Sequence, residues 1–292
     1  MTYNSPDNIW RLEFQAVLRG AAGGFLFGVP LLYTVEVWSI GSATGSWWLL
    51  AVLGVTLLVV WLLTQVEGFR QTLSLHPLEA VLESVEALGI GVVCAALALV
   101  LLRRITLETP LSEALGKLVF EAAPFALGVA LARSTLQGRP QRDRRITSPI
   151  SRRLSSPTLA SVRDALVDLD ATVIGAILIA FSIAPTEEVP LLAASLPPLW
   201  LLLIMAASLG LSYSIVFAAG FTDRTERTQR GLLLSPLTET LVAYLVALVI
   251  SVTMLVLFQQ LNQTDPWQEW LSNTLVLGLP ASIGGAAGRI LI

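Results

Sequence analysis

Charge is scarce in this sequence. Asp, Glu, Lys and Arg make up 13% of its 292 residues, against 54% hydrophobic, where soluble domains carry about 25% charged residues. With a mean hydropathy of +0.73, the chain cannot cover itself for water, and an ordinary soluble domain is excluded. It holds one histidine, His76, and one cysteine, Cys94. A lone histidine rules out HExxH zinc chemistry and any His-based triad. A lone cysteine can form no internal disulfide and has no CxxC partner. No GxxxxGK[ST] element supports phosphate cradling. Lys117 is the sole lysine, so a retinal-type Schiff base would have to form there, and the neighbouring Glu113 and Glu121 argue against it. No cofactor is expected. No nucleophile–base pair is legible, so the chain is not expected to be an enzyme. The N-terminus lacks a short apolar core followed by a small-residue cleavage site, so no removable signal is expected and the first span would itself target the chain.

What is present is long apolar runs. Crossing about 30 Å of hydrocarbon takes about 20 apolar residues, and such runs occur near 18–39, 46–66, 78–102, 111–132, 170–189, 198–219, 237–258 and 270–291. The expected fold is therefore an all-α membrane protein with eight transmembrane helices. Between the fourth and fifth runs, residues 135–160 are rich in Arg and turn formers and read as a basic linker. Arginine-rich loops stay cytoplasmic, which places both termini on that side too. The linker's charge is explained by topology and calls for no nucleic acid. Trp38, Trp47, Trp48 and Trp267 fall at the outer ends, as an interfacial aromatic belt would.

The two halves repeat. At an offset of 152, Gly23 pairs with Gly175, Trp48 with Trp200, and Thr34-Val35-Glu36-Val37 with Thr186-Glu187-Glu188-Val189. At 156, Pro110 pairs with Pro266, Glu113 with Glu269, Pro124 with Pro280, Gly128 with Gly284 and Arg133 with Arg289. Chance likeness between Leu-rich helices would not keep Pro, Gly, Glu and Arg in step. An even number of spans per unit makes the copies parallel in topology. The organisation expected is a four-helix repeat over 1–134, the linker over 135–160 and a second four-helix repeat over 161–292.

Several acids stand out. Pro followed closely by an acid, as at Pro110-Glu113 and Pro266-Glu269, is explained by helix initiation and the helix dipole. Glu36 and Glu188 each follow an apolar run, so they are read as lying near helix C-termini, where the dipole disfavours them. Either these acids meet water at the outer interface with no ligand role, or Pro30 and Pro185 break those helices and Glu36, Glu187, Glu188, Thr34 and Thr186 supply oxygen ligands for a cation around a pseudo-twofold axis. Glu79, Glu83 and Glu86, spaced four and three apart, share one helix face. By rise per residue, Glu86 and Glu121 come out near mid-membrane, where an ionisable group usually faces a partner or a wet cavity. Lys117, one turn before Glu121, is a candidate partner. Gly20, Gly23, Gly24, Gly28, Gly284, Gly285 and Gly288 fit close helix packing without any ligand.

The stretch from Arg19 to Trp38 (RGAAGGFLFGVPLLYTVEVW), with Ala184-Pro-Thr-Glu-Glu188 and GLPASIGGAAGR over 278–289, resembles a family of bacterial integral membrane proteins with two four-helix repeats and no settled activity. The likeness spans nearly the whole chain and implies no catalytic or binding residues. A fainter similarity to two-repeat cation exchangers lacks their Asn-rich and Glu-Gly-Asp elements. The function expected is membrane transport of a cation or proton by a channel or carrier, with a path near the interface of the two repeats, in a bacterial inner membrane. The alternative is a non-transporting subunit that binds a partner or lipid.

Overall fold

A computed structural model of the chain describes residues 6–71, 77–137, 157–218 and 236–291. The heart of the basic linker (138–156) and the segment carrying Arg224, Arg227 and Arg230 lie outside the described residues, as do the side chains of Arg11, Arg70 and Glu79. Among the described residues every element is helical: α1 (Pro6–Leu32), α2 (Val35–Ala43), α3 (Ser46–Gln71), α4 (Pro77–Leu101), α5 (Leu111–Gln137), α6 (Pro157–Ile183), α7 (Glu188–Ala194), α8 (Pro198–Tyr213) with a π-helical turn over Ser214–Ala218, α9 (Pro236–Leu257) and α10 (Trp267–Leu291).

Seven of these helices are long and apolar enough to cross a membrane: α1, α3, α4, α5, α6, α8 and α9. Eight were expected. The difference is α10, which is 25 residues long but spends much of its length on Gly, Ala and Ser. Its middle is buried throughout, from Asn273 to Ala286, so it needs little lipid-facing hydrophobicity. The outer helices do the reverse. Leu58, Leu178, Leu202 and Val249 are exposed apolar side chains, an arrangement that fits hydrocarbon and would be unstable in water.

Two expected spans end early. The first apolar run breaks at Tyr33–Thr34 and restarts as the nine-residue α2; the fifth breaks between Ile183 and Glu188 and restarts as the seven-residue α7. Pro185 sits in its break as expected, but Pro30 lies inside α1 and the chain turns three residues later. The turn lets Trp38 fold back under the end of α1, where its indole N–H donates to the Leu32 carbonyl at 2.9 Å. Trp38 is therefore buried, at 5% exposure, rather than part of the interfacial belt, whereas Trp47, Trp48 and Trp267 are exposed.

α5 lies along α1 and against α4, and α10 lies along α6 and against α9. At the α1–α5 crossing a Cβ on Gly23 would come within 2.6 Å of the Gly128 carbonyl oxygen; at the α6–α10 crossing a Cβ on Gly284 would meet the Gly175 carbonyl oxygen and come within 2.6 Å of the Ile179 side chain. Only hydrogen fits at these points, which is how small residues let membrane helices approach. The loops agree as well. α4 closes through Arg103 at φ 53 and α9 through Gln259 at φ 60. In each, the following amide donates to the fifth carbonyl back, Arg104 to Leu99 and Gln260 to Leu255, both at 2.8 Å, the left-handed helix stop that glycine usually serves. Three residues further on, the Thr106 amide donates to Thr109 Oγ1 at 2.9 Å and the Asn262 amide to Asp265 Oδ2 at 2.7 Å. Different side chains thus close the same backbone turn.

The halves meet through α1, which packs on the π turn and on α10. Tyr33 donates to the Val276 carbonyl at 2.6 Å, and Trp200 Nε1 to the Leu101 carbonyl at 2.5 Å. Both bonds use carbonyls of the other half.

Candidate functional site

The acids are sorted by what faces each carboxylate. Glu36 is exposed and lies in the first turn of α2, not at a helix C-terminus; the restart after Thr34 reverses its relation to the helix dipole and makes the charge favourable. Glu187 is the exposed N-cap residue of α7 and Glu188 opens its first turn, for the same reason. Glu188 Oε2 is buried and accepts no hydrogen bond. Thr186 Oγ1 donates to the Ile183 carbonyl at 2.6 Å, while Thr34, the N-cap of α2, makes no side-chain cap bond. Among the described residues, no three Asp, Glu, His or Cys side chains come together in a group able to hold a metal ion.

Glu83 is exposed. Glu86 is half-exposed and receives Arg133 Nη2 at 2.6 Å. Arg133 closes the apolar stretch of α5, so Glu86 is a paired group near one end of the bundle rather than a lone acid at mid-depth. The other half builds the matching contact from Arg289 and Glu239. Arg289 is 3% exposed and also lies over the Phe217 ring of the π turn, 5.7 Å from its centroid. The two arginines occupy equivalent positions, but their acids sit on successive turns of α4 and α9, which is why a strict residue-by-residue comparison misses the partnership. The pairs should differ in worth. Truncating Arg289 to Ala takes the paired cation from a largely buried Glu239 and should cost about 3–5 kcal/mol; Arg133→Ala, next to a half-exposed Glu86, should cost about 1 kcal/mol or less. Unfolding of the two variants in detergent measures the contrast.

At the opposite end lies a cluster that sequence reading did not assemble. Lys117 Nζ holds Glu113 Oε1 at 2.6 Å and donates to the Arg104 carbonyl at 3.0 Å. Arg104 lies over the Trp38 ring, 5.0 Å from its centroid, and donates to Ser195 Oγ of α7 at 2.5 Å. Burial lowers the affinity of the Arg104 guanidinium for its proton, but a guanidinium remains charged. Arg103 stands over Trp200, 5.6 Å from the ring centroid. The missed signal was that both arginines follow the end of α4 directly, within reach of two tryptophans from different halves.

Lys117 therefore points away from Glu121, towards Glu113. Glu121 lies at the middle of the α5 apolar stretch Leu111–Arg133, is 0% exposed, and neither carboxyl oxygen accepts a hydrogen bond. Trp38 stands beside it, but the indole N–H is spent on Leu32 O. Its α5 neighbours Ala122 and Phe125 belong to the buried apolar core, with Phe25 edge-on to Phe125 at 5.6 Å. Leaving one buried polar group unsatisfied costs about 1–3 kcal/mol, and more if it is charged. The equivalent position in the second half is Leu277, also fully buried. Elsewhere, a cavity of about 280 Å³ between α3 and α4 is lined by Gly54, Leu57, Leu58, Trp61, Val81 and Ser84. Few of the residues in the α3 apolar stretch are buried, 11% against 44% in α5, so this cavity opens on the periphery.

Long apolar helices with outward-facing Leu and Val and a glycine-packed interior define a multi-pass integral membrane protein. The chain belongs to the family described as "Putative integral membrane protein (DUF2391)", whose model matches residues 16–292. No curated protein and no solved structure matches the chain.

Proposed function

We propose that this protein is a channel or carrier for cations or protons in a bacterial inner (cytoplasmic) membrane, built from two parallel four-span units, with both termini and the basic linker on the cytoplasmic side and the path near the interface of the units. α10 is the eighth span in this reading, and the protein is not an enzyme. The repeat is supported by the matched glycine crossings and by the two helix stops at Arg103 and Gln259. Transport rests on one observation: Glu121, at mid-depth in a membrane helix, is fully buried with neither oxygen partnered. A site of this kind tolerates a carboxyl carrying a proton or holding a cation, and acids at such depth are usually functional. Glu36, Glu187, Glu188, Thr34 and Thr186 at one end, and Glu79, Glu83 and Glu86 at the other, are the candidate entrances.

The test is a flux assay in proteoliposomes loaded with a pH-sensitive dye or cation indicators, under gradients of monovalent cations, divalent cations and protons. The expected result is flux above empty vesicles that Glu121→Gln reduces by at least about tenfold, equivalent to about 1.4 kcal/mol. Wild-type protein without flux under any gradient would sink the proposal.

A further inference from the structure

Resting on the transport reading, we infer that the ion bound at Glu121 is the proton alone, and that Glu121 is a reversible protonation site screened from inorganic cations. The argument is one of ligand number. A hard cation that leaves water must recover about six oxygen ligands. Glu121 supplies two oxygens beside Trp38, in a fully buried position of α5, and neither oxygen accepts a hydrogen bond. A proton needs one oxygen and no network.

Among the described side chains, the charged and titratable groups on the elements packed against α5 do not alter this, and α3 contributes none. On α5 itself, Lys117 is held by Glu113, and Arg133 by Glu86 of α4. On α4, Cys94 is buried and Glu83 is exposed. α2 contributes the exposed Glu36, and the turn after α4 contributes Arg104, engaged with Trp38 and Ser195. On α1, Tyr33 donates to Val276 O, the exposed Glu13 lies about two turns from the start and Arg19 nearly four turns from it, whereas Glu121 packs at the level of Trp38, beyond the end of α1. Among the described residues none of these groups gives Glu121 a hydrogen bond, and a proton is the occupant that needs none.

An apolar carbodiimide, dicyclohexylcarbodiimide, reads the occupant without requiring flux. It reacts with a protonated carboxyl in an apolar setting: the acid proton moves to a carbodiimide nitrogen, the carboxyl oxygen bonds to the central carbon, and rearrangement leaves a stable N-acylurea with nothing lost. Full-length protein in liposomes is treated across a pH series, and the peptide containing Glu121 is weighed. Labelling of wild type is expected, absent in Glu121→Gln, falling about tenfold per pH unit above the titration point, and unchanged at fixed pH by added Na⁺, K⁺, Mg²⁺ or Ca²⁺. Suppression by any of these cations at fixed pH would overturn the inference while leaving the transport reading standing. Labelling absent at every pH, or indifferent to pH, would overturn it as well. Loss of flux in the liposome assay with normal pH-dependent labelling would overturn the transport reading instead.

Discussion

Replacing Glu121 with leucine should make the protein harder to unfold while abolishing its flux. Neither carboxyl oxygen accepts a hydrogen bond, the neighbouring Trp38 N–H being given to the Leu32 carbonyl, so the folded state carries the desolvation cost of an unsatisfied polar group, about 1–3 kcal/mol. Leucine removes that cost and is close in volume. The second half already carries this substitution, since Leu277 occupies the corresponding place at 0% exposure. The expected gain is about 1–3 kcal/mol in denaturant or thermal unfolding of purified protein in detergent, together with loss of proton flux, the pattern of an active site kept at a cost in stability. A destabilisation of more than about 1 kcal/mol would mean that the carboxyl has a partner in the membrane, and the case for Glu121 as an ion site would fall with it.

Adding a single methyl group at Gly23 or Gly175 should be severe in both halves. A Cβ on Gly23 meets Ala132 Cβ and the Gly128 carbonyl; one on Gly175 meets the Gly284 carbonyl, with Gly284 C at 2.9 Å. Backbone atoms cannot swing aside as a flexible side chain can, so the helices must separate along their whole contact. Gly23→Ala and Gly175→Ala are each expected to cost more than about 3 kcal/mol, in the range of the largest single-site effects, and to lower the yield of folded protein. Gly54→Ala, where a Cβ meets nothing within 4 Å, is the control and should be neutral or stabilising by up to about 1 kcal/mol through helix propensity. Fluorescence-detected size exclusion of the three variants checks the ordering. Tolerance at Gly175 with failure at Gly23 would show that the two crossings are not equivalent.

Much of the frame was legible without coordinates. Apolar run length located the long helices, because hydrocarbon thickness fixes how many residues each needs. The offsets of 152 and 156 paired Gly23 with Gly175 and Gly128 with Gly284, and those residues make the two matching crossings. The place of Glu121 at the middle of an apolar helical stretch was also readable, since run boundaries fix position along a helix. The turns were less legible. Pro30 marked the wrong place because proline is accepted within a membrane helix when neighbours re-satisfy the freed carbonyl, and the true break at Tyr33–Thr34 lacks any such punctuation. That one shift moved Glu36 from a helix end to a helix start.

The sequence by itself determined that this chain lies in a membrane as a bundle of long apolar helices, since that follows from composition and run length along one dimension. Which acids are neutralised was decided only by tertiary structure. Arg133 reaches Glu86 across 47 positions, Arg289 meets Glu239, and Lys117 turns to Glu113, one turn back, rather than to Glu121, one turn ahead. These choices depend on the direction of each side chain and on what the neighbouring helix offers within a few ångströms. Local spacing allowed Lys117 either acid; the fold gave it Glu113 and the Arg104 carbonyl, and left Glu121 alone.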